Sequence, residues 1–346
     1  MGLRRPKPRT PAATYPVIFR WDLDKTYLKT EFDSLRELVR IPFERPQDKV
    51  AVPGVVPLIR SLRDVAAQAG REVRIYFMSA SPPQIAKAIK DKLALDGIEY
   101  DGIVFKNQLR HLVRGRFRNL REHVGFKLTE LLKSRFVMPR ASREVLFGDD
   151  WESDPIIYSL YADILAGHIG PGDLGDILGR IGVDPQLVAE AKAQTAGVEP
   201  ADVVMKIYIN VERRTPTSFR SFGPRLVPTF NYFQTAACVF EDGHLNLAAV
   251  AQVAEALIHG SGYTPSRLAN SLDDIVRRGR LQPPSAVAVR EYLRARGLLP
   301  QRARDRQRMQ LWQRVSRWFS IKPAPIRGGT ETIDYQTLVA EWRAAR

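Results

Sequence analysis

The 346-residue chain carries 53 Lys and Arg against 38 Asp and Glu, a net charge of +15, and a single cysteine, Cys238. One cysteine excludes an intramolecular disulfide and a multi-cysteine zinc site, and argues for a reducing compartment over secretion. The positive charge favours anionic partners (phosphorylated substrates, nucleic acid or acidic lipid headgroups) without choosing among them. No apolar run approaches the ~20 residues that span a bilayer, and the basic start MGLRRPKPRTPAATYP lacks the apolar core of a signal peptide. The expected location is cytoplasmic, with peripheral membrane contact left open.

In chain order, residues 1–14 read as a basic, Pro-rich tail. YPVIFRWDL (15–23) reads as a buried strand ending in polar residues, and VPGVVPLIRSLRDVAAQAG (52–70) as an amphipathic helix ended by glycine. Strands follow at REVRIYFMSAS (71–81), YDGIVFK (100–106), REVLFGDDWESD (143–154) and VVMKIYINV (203–211). Between them lie helical patterns at 81–97, 125–136 and 155–167. Strands alternating with helices predict a doubly wound, parallel α/β sheet, in which ligands bind beyond the carboxyl ends of the strands. Strand ends at Asp22/Asp24, Ser79 and Asp149/Asp150 would then converge on one crevice.

DLDKT (22–26) carries the chemistry. A carboxylate nucleophile needs a second carboxyl group to protonate the leaving oxygen. Alternation along an extended strand puts Asp22 and Asp24 on one side. Two such groups repel each other unless a cation or proton intervenes, and magnesium, which also offsets phosphate charge, is the usual solution. Each residue has a plainer reading. Ser79 stands where a helix N-cap would sit, Lys127 is a helix lysine, and Asp149, Asp150, Glu152 and Asp154 suit a helix N-terminus. The five histidines show no metal-ligand spacing, and Cys238 in QTAACVF reads as a core residue.

Four elements in order resemble the haloacid dehalogenase superfamily of phosphatases: DLDKT, the strand RIYFMSAS with Ser79, Lys127 in FKLTELL, and GDDWESD with Asp149 and Asp154. Within it, MSASPPQI and GDDWESDPIIYSLYA resemble the catalytic domain of the actin-patch-type phosphatidate phosphatases over residues 15–215. Lys25 stands where that family commonly has an acidic residue, and Asp150 where it has a small hydroxylated one. The resemblance implies a magnesium-dependent phosphomonoesterase. Asp22 would be its nucleophile and Asp24 its acid and base. Ser79 would bond a phosphoryl oxygen and Lys127 offset charge. Asp22, the Asp24 carbonyl and Asp149 would hold magnesium, Asp154 would support that site, and Asp150 is a second candidate ligand. Short insertions between the elements imply an open site, suited to a lipid phosphate such as phosphatidate. Alternatives are another phosphorylated substrate (protein, nucleotide or nucleic-acid end) or a basic binding protein without turnover.

Beyond residue 228 the pattern turns helical over 229–300, read as an accessory region, with a basic segment and tail over 301–346. In 301–321, Met309, Leu311, Trp312, Val315, Trp318 and Phe319 share a helical face with arginines largely elsewhere. That face suits either the protein's own core or an anionic membrane surface. No recognised nucleic-acid module accompanies the arginines.

Overall fold

The computed structural model describes residues 15–28, 50–79, 86–105, 120–151, 153–301 and 333–344. Six parallel strands form one sheet: β1 (Val17–Asp22), β2 (Val73–Ser79), β3 (Gly102–Phe105), β4 (Arg143–Asp149), β5 (Val204–Asn210) and β6 (Leu226–Thr229). Their order is β3-β2-β1-β4-β5-β6. The strands proceed outward on both sides of the β1–β4 pair, so the switch point of this doubly wound sheet lies between them.

Parallel neighbours require long crossovers, and helices supply the covering layers. They are α1 (Val55–Gln68), α2 (Ala86–Leu95), α3 (Leu120–Phe136), α4 (Asp154–Leu165), α5 (Pro171–Ile181), α6 (Pro185–Ala196), α7 (Tyr232–Glu241), α8 (Leu247–Ser261), α9 (Pro265–Arg277), α10 (Pro283–Ala295) and α11 (Tyr335–Ala344). Side chains alternate across the sheet. Phe19, Trp21, Phe77, Phe147 and Tyr208 enter a core shared with α1, α2 and α7 to α10. Leu146, Ile207 and Ile209 enter the opposite core with α3 to α6 and α11. The expected boundary at residue 229 therefore separates no cores: the C-terminal helices close one face of the same sheet. Asn231, Asn246 and Thr264 start α7, α8 and α9 by accepting hydrogen bonds from the backbone N–H groups of Gln234, Ala249 and Arg267.

Two rows of side chains lead to the strand ends. On one face Trp21 stacks on Phe147, with ring centroids 3.8 Å apart, and Phe147 stacks on Tyr208 at 5.4 Å. On the other face the contacts are polar. Arg20 pairs with the buried Glu144 and donates to Ser134 Oγ at 2.8 Å. Tyr161 donates to the same glutamate at 3.1 Å. Two residues beyond Arg20 on β1 is Asp22, and one helical face of α3 carries both Ser134 and Lys127. Strand period two and helix period seven thus bring two polar contacts into register. Asp154, Tyr158 and Tyr161 repeat the pattern along α4, where the Tyr158 hydroxyl donates to the Phe147 carbonyl at 3.4 Å.

The structure departs from the sequence reading at several elements. β6 was not expected, because Pro228 lies within it; a proline is tolerated there because the strand forms the sheet edge. α3 begins at least five residues before the expected start at 125, so Lys127 sits mid-helix. Gly125 suggests a helix start, yet it serves packing: a Cβ there would lie 2.7 Å from Val183 Cγ1 on the way into α6. β1 ends at Asp22, so Asp24 lies beyond the strand, in an isolated bridge with Leu28 that flanks the turn 25–27. The amphipathic stretch 301–321 falls, from residue 302 on, outside the described residues. Among the described residues no helix is long and apolar enough to cross a membrane.

Candidate active site

The carboxyl ends of β1 and β4 gather three fully buried carboxylates: Asp22, Asp149 and Asp154. One oxygen from each lies within 4.8 Å of the others. Lys127, equally buried, places its Nζ 2.7 Å from Asp22 Oδ1 and 2.7 Å from Asp154 Oδ1. Asp154 reaches this cluster from the first turn of α4, and its Oδ2 accepts the Asp149 N–H at 3.3 Å. That approach requires Gly148. A Cβ there would stand 2.6 Å from Asp154 Oδ2 and 2.8 Å from the Tyr158 ring.

Asp149 is fixed on both oxygens. Its Oδ1 accepts the Trp151 N–H at 2.6 Å, and its Oδ2 the Thr26 hydroxyl at 3.1 Å. The turn after β1 thereby closes onto the end of β4. The Tyr232 hydroxyl donates to the Thr26 carbonyl at 2.6 Å from the helical layer. Burial raises the Tyr158 and Tyr232 hydroxyls well above the usual phenol range. Negative charge adds to this, from Asp154 and Asp22 at Tyr158 and from Asp149 and Asp22 at Tyr232. Both hydroxyls therefore remain protonated donors.

The remaining residues expected at the site divide. Asp24 stays partly exposed beside the cluster, and its Oδ2 accepts the Ser79 hydroxyl at 2.9 Å. Ser79 thus joins the end of β2 to the segment that carries Asp24. Asp150, expected as a second metal ligand, faces another way. Its Oδ1 accepts the N–H of Glu212 at 2.9 Å, and its Oδ2 accepts those of Arg213 at 2.9 Å and Arg214 at 2.6 Å. Adjacent side chains diverge at a strand end, and this one anchors the loop after β5. Two contributors were not anticipated. Thr26 lies within DLDKT but was assigned no role. Tyr232 has no local signal, being 206 positions from its partner.

Whether a cation fits can be judged from charge. Ionised, the three carboxylates would outnumber the ammonium of Lys127 by two charges at a site with no exposure, counted among these four described residues alone. Buried charges of this kind are paired or hold a metal. The donors are hard oxygens without cysteine or histidine, which suits magnesium. Cys238 lies elsewhere, buried in α7, and burial pushes its thiol up to about 12.

Comparison with protein-family models, curated proteins and solved structures finds no match. Fold and site together define a doubly wound α/β protein with a buried aspartate–lysine cluster at its switch point.

Proposed function

We propose that the protein is a magnesium-dependent phosphomonoesterase of the haloacid dehalogenase type, acting through an aspartyl phosphate on Asp22. One observation carries the reading: the carboxylates of Asp22, Asp149 and Asp154 converge within 4.8 Å around Lys127, where the sheet reverses its winding. Phosphoryl transfer is mostly positioning and charge stabilisation, so a short set of residues is sufficient.

An Asp22 oxygen attacks phosphorus, the bond from phosphorus to the ester oxygen breaks, and Asp24 gives that oxygen its proton. Asp24 then removes a proton from water, which attacks the phosphorus of the aspartyl phosphate, releases inorganic phosphate and restores Asp22. Ser79 aims the Asp24 carboxylate, and the resemblance gives it a phosphoryl oxygen as its partner once substrate is bound. Lys127 offsets the charge of Asp22 and the incoming phosphate, and Asp154 holds the ammonium in place. Asp22 and Asp149, with the Asp24 carbonyl, would hold magnesium. Bound there, the ion supplies positive charge against the phosphate and the carboxylates. The resemblance to phosphatidate phosphatases favours a lipid phosphate as substrate.

A phosphate-release screen with magnesium, across lipid, nucleotide, sugar and peptide phosphates, tests the reading. Release from at least one class, lost on chelation, is expected. Silence across all classes would favour a basic binding protein that retains the fold.

A further inference from the structure

Beside the aspartate cluster lies a group of cations that the proposed chemistry does not use. Lys25 Nζ sits 3.6 Å from the centroid of the Trp151 ring, and Arg213 Cζ sits 4.3 Å from it. We infer that Lys25 and Arg213, held on Trp151 at the rim of the site, form a second anion subsite. The substrate would then be a phosphate monoester whose leaving group carries a further phosphate. This rests on the phosphatase reading for the first phosphate.

Three observations carry it. First, the group is tied to the reacting residues. Lys25 follows Asp24 directly, and the Trp151 N–H is bonded to Asp149 at 2.6 Å. The Arg213 backbone is fixed by Asp150 at 2.9 Å.

Second, Lys25 has φ +61°, alone among the described non-glycine residues in taking a positive φ. A glycine would sit there without steric penalty. Strained backbone of this kind clusters at ligand clamps and active sites. A lysine set in that conformation, with its ammonium over the Trp151 ring, points to a use for the charge.

Third, the charge is not neutralised within the group. Among the described residues no carboxylate forms an ion pair with Lys25 or Arg213. Glu212, the neighbouring acid, accepts the Trp151 Nε1–H at the ring edge at 2.8 Å. The two cations lie over the indole ring itself.

The division of labour follows from depth. Lys127 is fully buried and meets the scissile phosphate's charge. Lys25 is half-buried and Arg213 exposed, so they meet what projects from the site. Stacking on the indole restricts both side chains before a ligand arrives, which lowers the ordering cost of binding.

Binding to the full chain carrying Asp22→Asn, with magnesium, separates this from turnover. The soluble probes are glycerol 3-phosphate and an inositol bisphosphate. The lipid probes are neutral vesicles with and without phosphatidylinositol phosphate. The added phosphate should tighten binding roughly tenfold, through charge-assisted contacts. Lys25→Gly and Arg213→Ala should each reduce that preference roughly threefold, and together abolish it. Lys25→Gly exchanges αL strain for unfolded-chain entropy and Arg213 is exposed, so neither substitution should lower the melting temperature appreciably. A preference dependent on both cations in the soluble arm marks a free bisphosphate. One confined to the vesicle arm marks a lipid headgroup. Either supports the subsite. Equal affinity for one and two phosphates, or a preference that survives the double substitution, overturns it. Absent phosphate release from the wild type would sink the phosphatase reading and leave this result standing.

Discussion

Tyr232, at the start of α7, donates its hydroxyl to the carbonyl of Thr26 at 2.6 Å, and Thr26 passes its own hydroxyl to Asp149 at 3.1 Å. The turn that follows the two motif aspartates is therefore braced by the helical C-terminal layer, 206 positions away in sequence. The residues beyond 229 are thus part of what positions the proposed chemistry.

Tyr232→Phe keeps the ring and removes the donor. A buried carbonyl left without its partner costs about 1–3 kcal/mol. We expect urea unfolding to show that loss. Turnover should fall roughly tenfold in kcat with KM little changed, because a small misplacement of a reacting group is expensive. Wild-type kcat in a variant of unchanged fold would show that the brace serves stability alone.

Lys127→Met leaves the buried carboxylates of Asp22 and Asp154 without their shared ammonium, at 2.7 Å from each in the native protein. Removing one partner of a buried pair costs about 3–5 kcal/mol. Magnesium should recover part of this, since a ligand at a hundred times its Kd stabilises by about 2.7 kcal/mol. Unfolding curves with magnesium and with chelator check both halves. A loss under about 1 kcal/mol, with no response to magnesium, would contradict the charge balance drawn here.

His244 sets a pH limit away from the site. Its ring meets Phe19 edge-on at 5.4 Å, and burial, with the Arg71 charge adding, lowers its pKa from 6.5 to about 4. The unfolded chain takes up the proton first, so this contribution is complete above pH 6.5 and is lost as pH falls from 6.5 to about 4. The expected loss is about 2–3 kcal/mol. His244→Gln should flatten the stability profile in that window, measured by urea unfolding at a series of pH values. An unchanged profile would place the acid sensitivity elsewhere.

Much of the fold was legible because apolar runs ending in polar residues mark parallel strands. β1, β2, β4 and β5 stand out this way, and their ends carry Asp22, Ser79 and Asp149. The signal for α5 was present in Leu174, Ile177, Leu178 and Ile181 at helical spacing, but Gly175 and Gly179 weakened it. β6 was hidden by its proline and by its four-residue length. The site was legible as residue types and less so as partnerships. Asp149 and Asp150 are adjacent identical letters, yet one faces Thr26 and the other the amides of 212–214. Tyr232 and the left-handed Lys25 leave no local pattern, because one acts through tertiary contact and the other through backbone conformation.

The central claim is that Asp22 takes up the phosphoryl group. Asp22→Asn is nearly isosteric and a poor nucleophile. Asp24→Asn keeps the nucleophile but removes proton transfer, which typically supplies ~10²–10⁴-fold. The decisive measurement is phosphate release with magnesium by purified wild type and Asp22→Asn, each with a matching circular dichroism spectrum. The account predicts release by the wild type and none above background by Asp22→Asn. Near-wild-type turnover in folded Asp22→Asn would contradict it.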